Sequence, residues 1–316
     1  VYIPDDHLLW DFWIIRHREK YHLYYLQAPR NLSDPEDRHA QATVGHAVSP
    51  DLRSWSYQGT ALTPGPPGGW DDRAIWTGSV ISEGDRFLML YTGTCRSEGG
   101  RIQRIGLATS TDLRRWHKFP ANPVIESEPA TYEDESASPF RERAWRDPYL
   151  VRQQGSYCAY ITSRVRNGPL DGRGCIALAR SPDAHRWKVL PPVYAPGMFG
   201  QMEIPQLIQL QGRYFLLFGV ELGWHAHSGE VPKTTGTYYA NSHDPERGYT
   251  EPRLLLGDVH GQHYGTKLVE GPDNTWYILS WLRHGPRGDF VGGLSDPQPV
   301  ELRSGGIIAI KGATRS

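Results

Sequence analysis

An aromatic-rich apolar segment recurs along the chain: YHLYY from Tyr21, FLMLY from Phe87, YCAYI from Tyr157, YFLLF from Tyr214 and WYILSW from Trp276. Taking Tyr21, Phe87, Tyr157, Tyr214 and Tyr277 as equivalent, the copies are 66, 70, 57 and 63 residues apart. A second signature follows the first three copies: VGHAVSPDLRSW ending at Trp55, IGLATSTDLRRW ending at Trp116 and IALARSPDAHRW ending at Trp187. Weaker copies are YYANSHDPERGY, ending at Tyr249, and GGLSDPQPVEL. Helical periodicity is scarce, and short apolar runs alternate with Gly, Pro and Asp clusters, the pattern of strands and tight turns. Five copies of a four-strand unit predict an all-β chain folded as a five-bladed β-propeller. In that fold the Ser-x-Asp turn is each blade's outer hairpin, its Asp capping the turn and its Trp packed between blades. No linker or change of composition divides residues 1–316, so a single domain is expected. A late strand such as GGIIAI at 305–310 is expected to help close the ring on the first or last blade.

The repeat also aligns three acids. Ten residues before each reference aromatic stand Asp11, Thr77, Asp147, Ile204 and Lys267, and Glu203 adjoins the fourth. One extra residue in that blade's turn would bring Glu203 into register. The first strand of a propeller blade lines the central channel, so three blades would converge carboxylates there. Asp11 lies in the otherwise apolar LLWDFWII. An ionised group in such surroundings is costly unless paired, and three together perturb one another's protonation. That arrangement is poor for stability and suited to chemistry.

The settings of the acids are LLWDFW for Asp11, WRDPYL for Asp147 and QMEIPQL for Glu203. In this order they resemble the three acidic blocks of glycoside hydrolase families 32 and 68, the β-fructofuranosidases and levansucrases. KYHLYY, VGHAVSPDLRSW and the DDRAIWTGSV block at 71–80 resemble family 32 segments in the same order, whereas WDFW is closer to family 68. The resemblance implies that Asp11 is the nucleophile of a retaining reaction on a β-linked ketofuranoside. It makes Glu203 the acid/base, with a pKa raised by the neighbouring carboxylates. Asp147 would stabilise the transition state, with Arg146 countering the local charge. Trp10, Trp13, Trp76 and Ser79 would line the sugar pocket, and Tyr264 of HYGTKL is a further candidate there, beside Lys267. No organic cofactor and no catalytic metal are implied; GWHAHSGE at 223–230 and HGQH at 260–263 fit no standard metal spacing.

The chain departs from the family pattern. Around Asp11 the usual Asn and Pro are missing, and EIPQ places Gln206 where family 32 has an acid. Family 32 enzymes also tend to carry a C-terminal β-sandwich, which is not expected here. These changes keep open a dehydratase acting on a ketofuranosyl nucleoside or similar metabolite; an inverting arabinoside or xyloside hydrolase and a non-catalytic sugar-binding propeller are the other readings. Asp71, Asp72 and YEDES at 132–136 read as solvated loops, and Glu221 as a residue of the mouth or the core edge.

With 34 basic and 35 acidic residues, nothing suggests nucleic acid or an anionic membrane as a partner. The expected partner is a small-molecule glycoside, and the oligomeric state is open. Three cysteines without metal-type spacing point to the cytoplasm, while the absence of an initial Met suggests a trimmed start.

Overall fold

The computed structural model describes residues 1–227 and 230–311. They form five antiparallel sheets, each laid out in chain order from its innermost strand. Blade one comprises β1 (His7–His17), β2 (Lys20–Pro29), β3 (Thr43–Ser49) and β4 (Ser56–Leu62). Blade two comprises β5 (Ala74–Glu83), β6 (Arg86–Thr94), β7 (Gln103–Ser110) and β8 (His117–Lys118). Blade three is β9 (Arg146–Gln153), β10 (Ser156–Arg164), β11 (Gly174–Ser181) and β12 (Lys188–Tyr194). Blade four is β13 (Glu203–Leu210), β14 (Arg213–Val220), β15 (Thr235–Ser242) and β16 (Arg253–Asp258). In blade five, β17 (His263–Glu270) pairs with β18 (Trp276–His284), which pairs with both β19 (Phe290–Leu294) and β20 (Gln298–Arg303). The outermost strand of that blade is β21 (Ile307–Ile310). The five-bladed propeller predicted from the repeat is the fold.

The aromatic repeat is the second strand of each blade, buried on both faces because a neighbouring blade covers each. The core is therefore a series of layers between blades. One cluster packs Leu88 and Leu90 of blade two on Ala159 and Ile161 of blade three. The next packs Tyr160 and Leu178 on Leu216 and Phe218 of blade four.

The repeated Ser and Asp build the outer turn. Asp51 accepts hydrogen bonds from the amides of Arg53 (2.9 Å) and Ser54 (2.7 Å), and Asp112 from those of Arg114 and Arg115 (both 2.8 Å). Asp183 does the same for His185 (3.0 Å) and Arg186 (2.9 Å). Trp116 then packs edge-on against Tyr24 of blade one at 5.7 Å.

The late strand β21 pairs with β20 at the outer edge of blade five, and the ring closes at a seam between that blade and the N-terminal segment. Tyr2 exchanges two backbone hydrogen bonds with Leu294 of β19 (2.9 and 2.8 Å). Arg30 spans that seam, donating to the carbonyls of Pro4, His7, Val291 and Gly292 at 2.9–3.3 Å. Bonds from a charged donor count for more than neutral ones, and Arg30→Ala strands four carbonyls. We expect this variant to lose about 2–3 kcal/mol. The loss should appear as a lower urea midpoint with an unchanged m value.

Candidate active site

Every innermost strand carries a bulge near its start. In β1, Trp10 pairs with Leu26 and Phe12 with Tyr25, leaving Asp11 out of register; in β5, Thr77 is left out between Trp76 and Gly78. In β9 the extra residues are Asp147 and Pro148, in β13 Ile204 and Pro205, and in β17 Gly265 and Thr266. A bulge bends its strand and re-aims a side chain. Five around one axis make two tiers: Trp10, Trp76, Arg146, Glu203 and Tyr264 above, and Asp11, Thr77, Asp147, Ile204 and Gly265 below. This corrects the register read from the repeat. Glu203 stands level with Arg146, Ile204 occupies the place of Asp147, and Lys267 lies two residues beyond Gly265.

Asp147, Ile204 and Gly265 share a left-handed backbone, with φ of 56°, 52° and 57°. Glycine adopts it freely, but for the β-branched Ile204 it is strained, by about 1–3 kcal/mol. The kink points the Ile204 amide at Asp147 Oδ2, 3.1 Å away. Beside it, Gly219 on β14 leaves room for Tyr264, since a Cβ there would lie 2.9 Å from the ring.

The two tiers floor a cleft of about 330 Å³. Asp11, Asp147, Glu203, Trp10, Trp76, Arg146 and Tyr264 all border it. Two expected members do not. Trp13 points below the floor and stacks on Tyr24 at 6.1 Å. Ser79 ties blade two to blade three, donating to the Pro148 carbonyl (2.6 Å) and accepting from the Leu150 amide (2.8 Å). Both instead border a cavity of about 40 Å³ beneath the acids. Strand alternation explains this, because each lies beyond the bulge that turns its neighbours upward.

Arg146 is the electrostatic hub. Its guanidinium lies 2.7 Å from Glu203 Oε1, 3.7 Å from Asp147 and 3.7 Å from Glu142. It also donates to the side-chain oxygens of Gln103 (3.1 Å) and Gln201. Tyr264 donates to Glu203 Oε2 at 2.6 Å. Asp11 has a poorer set of partners, with Thr77 Oγ1 donating to it at 2.9 Å. Asp147 accepts from Thr162 Oγ1 at 3.0 Å besides the Ile204 amide.

This pairing decides where a proton sits. Burial, then the charges of Asp147 and Glu203, push Asp11 up to about 7. Burial also acts on Glu203, but Arg146, the Tyr264 hydroxyl and Arg283 outweigh it and hold Glu203 below the usual glutamate range. Asp147 is raised, by burial more than Arg146 offsets. The expectation that Glu203 is the raised acid is therefore reversed in the free protein. The arginine that the sequence placed against the cluster as a whole pairs with Glu203 in particular.

Compared with known families, the chain matches the glycosyl hydrolases family 32 N-terminal domain over residues 13–288. The chain belongs to glycosyl hydrolase family 32. A cell-wall β-fructofuranosidase of Pisum sativum is 24% identical over 285 residues, covering 83% of this chain and 48% of its own. A probable sucrose-6-phosphate hydrolase of Psychromonas ingrahamii is 26% identical over 279 residues, covering 85% and 46%. The chain thus spans about half the length of these two relatives. In fold it is similar to an inulosucrase from Halalkalicoccus jeotgali bound to kestose, with a TM-score of 0.80 and 20% identity over 99% of this chain and 90% of that one. A family 32 β-fructofuranosidase of Bombyx mori gives a TM-score of 0.73 at 22% identity, covering 98% and 64%.

The rim of this family 32 cleft holds residues outside the repeat. Glu36, Arg38 and His39 come from a 3-10 turn between β2 and β3 (Pro35–Ala40), and Arg38 lies between the rings of Trp10 (5.6 Å) and Phe290 (4.6 Å). Glu221 also borders the cleft, paired with Arg283 at 2.7 Å. Trp281 is the cross-strand partner of Tyr264, the one signal that could have placed it at the site. Other expectations fail because the loops are packed. Asp71 is buried against Lys118 (2.5 Å), Asp72 caps the amides of Gly68 and Arg96 (both 2.8 Å), and Glu133 is buried between Arg164 (2.7 Å) and Arg173 (2.6 Å). In GWHAHSGE, His225 bonds the Thr234 carbonyl and His227 bonds Asp171, while Ser228 and Gly229 lie outside the described residues.

The folded protein binds the Asp11 proton more tightly than the unfolded chain does. Asp11 therefore contributes stability below pH 3.8 that is lost as pH rises to about 7. Asp11→Asn, neutral throughout, should match wild type near pH 4 and exceed it at pH 8, on the order of 3 kcal/mol. Glu203→Gln should do the opposite, losing about 1.5–3 kcal/mol at neutral pH by leaving Arg146 without its carboxylate. Urea denaturation of both variants across this pH range checks the pair.

Proposed function

We propose that this protein cleaves or transfers a β-linked ketofuranosyl unit, fructofuranoside-like, by a retaining mechanism through Asp11, Glu203 and Asp147. The observation that carries the reading is the convergence of these carboxylates with Arg146 at the floor of the cleft, in a chain of family 32. Asp11 attacks the anomeric carbon while Glu203 protonates the departing oxygen. Glu203 then takes a proton from water or a sugar hydroxyl, which displaces Asp11. Asp147, fixed by Thr162 and the Ile204 amide, accepts from ring hydroxyls and supports positive charge developing on the sugar. Trp76, half-buried at the cleft, offers an apolar face to the ring, whereas Trp10 is buried beneath Arg38 and supports the wall behind it. Fructosides enter as substrates because the relatives' names include β-fructofuranosidase and sucrose-6-phosphate hydrolase.

The reaction needs one proton on the Asp11–Glu203 pair, placed on Glu203. In the free protein that proton sits on Asp11, so the productive arrangement is the minor one. A leaving oxygen that accepts from Glu203 draws the proton across. Because kcat/KM reports the free enzyme, its pH profile follows the proton count of the pair. Activity should fall as pH rises through about 7 and fall again below the usual glutamate range.

The resting arrangement also favours a second reading. A Glu203 carboxylate and a protonated Asp11 are already set for elimination, with Glu203 taking a proton from carbon and Asp11 donating one to a leaving hydroxyl, which departs as water. A ketofuranosyl nucleoside would be a substrate of that kind. Mass spectrometry on sucrose, a fructo-oligosaccharide and a ketohexofuranosyl nucleoside separates the readings. Released hexulose, reduced about 10³-fold or more in both Asp11→Asn and Glu203→Gln, supports glycosyl transfer. A product lighter by one water with its glycosidic bond intact overturns it in favour of elimination.

A further inference from the structure

We propose that Lys267 is a positioning residue, a buried ammonium beneath the acids that holds the Ile204 kink and supplies Asp11 and Asp147 with positive charge from below. The proposal rests on reading the carboxylate cluster as the reacting site.

Lys267 is 4% exposed and borders the small cavity under the floor together with Asp147 and Thr77. Its Nζ donates to the Ile204 carbonyl at 2.6 Å and lies 3.4 Å from that of Pro205. The other polar group of Ile204, its amide, donates to Asp147. One strained residue is thus held at its amide by a carboxylate and at its carbonyl by an ammonium, and its neighbour is Glu203. The ionisable groups acting on Asp11 from the other blades are Asp147 on β9, Glu203 on β13 and Lys267 on β17. Of these three, Lys267 alone is a cation; Arg146, on β9, is spent on Glu203. Burial draws Lys267 down to about 8, with Asp11 and Asp147 opposing that fall. An uncharged partner for two carbonyls would need no such charge; a countercharge for two aspartates does.

The first test needs no substrate. In the full chain with 13C-labelled Asp carboxyls, assigned through Asp11→Asn and Asp147→Asn, the titration of Asp11 is followed by NMR in wild type, Lys267→Met and Lys267→Arg. Removing the cation should move the Asp11 midpoint up by about one pH unit, and Lys267→Arg should restore most of the shift. An unchanged midpoint in folded Lys267→Met overturns the proposal. Should that variant not fold, the reciprocal measurement decides: the Lys267 13Cε titration must move to lower pH in Asp147→Asn, and a fixed value overturns the charge coupling. Where the protein acts on a fructoside, Lys267→Met should also lower kcat about tenfold at constant KM and shift the alkaline limb of kcat/KM upward by the same unit. Absent turnover of any fructoside rejects the proposed function and leaves the NMR result to stand or fall alone.

Discussion

The ion pair between Arg146 and Glu203 governs the floor of this propeller. A guanidinium in a dry site must spend its charge on the best geometry available, and Arg146 stands on the same tier as Glu203, at 2.7 Å, but 3.7 Å from Asp147. Breaking a buried pair of this kind leaves an uncompensated charge, so the pair is fixed before any ligand arrives. The remaining acids must then be neutralised otherwise. Asp11, raised to about 7, does so by taking up a proton as pH falls through that value, while hydrogen bonds from Thr162 and Ile204 stabilise the Asp147 carboxylate. The protonation state of the cleft is thus a consequence of strand register.

Register in turn depends on the bulges. A regular innermost strand would alternate its side chains between the two faces of the blade, and at most every second residue could approach the axis. The extra residues in β1, β5, β9 and β13 let two consecutive positions reach the cleft, and the bulge of β17 brings Tyr264 to it. The cost appears as the left-handed φ at Ile204, which the packed blades on either side oblige the chain to keep. The rigid framework is the layered core between blades, to which the aromatic repeat of the second strands contributes at every turn of the ring.

The sequence made the blades legible because the aromatic second strand and the Ser-x-Asp turn each solve the same problem in successive copies. Asp51, Asp112 and Asp183 cap equivalent turns, and the residue following each has φ near 64°: Leu52 at 64°, Leu113 at 62° and Ala184 at 64°. The three acids were legible as a set, but their heights were not. Counting ten residues back does find the lower tier in blades one to four, at Asp11, Thr77, Asp147 and Ile204, and misses it only in blade five; the misstep was to allow blade four an extra turn residue so that its carboxylate would join the other two. Without that adjustment Glu203 stands on the tier of Arg146, and its pairing with Arg146 reverses the expected order of the two pKa values. Trp13 and Ser79 were misplaced because each lies two residues beyond its bulge, where alternation points the side chain below the floor. The rim was less legible still, because Glu36, Arg38, Gln103 and Gln201 lie outside the innermost strands and nothing in the repeat points at them.

The departures from the family pattern gain a physical meaning once placed. Gln206, where family 32 has an acid, does not face the main cleft. Its amide donates to the Leu268 carbonyl (2.9 Å) and its carbonyl accepts from the Leu268 amide (2.8 Å), which locks blade four to blade five. A carboxylate there could accept from the Leu268 amide but not donate to the carbonyl, and it would add a fourth negative charge at the small cavity that Lys267 borders. A neutral amide at 206 and an ammonium at 267 therefore belong together: the first joins the blades without charge, which leaves the second free to serve the two aspartates.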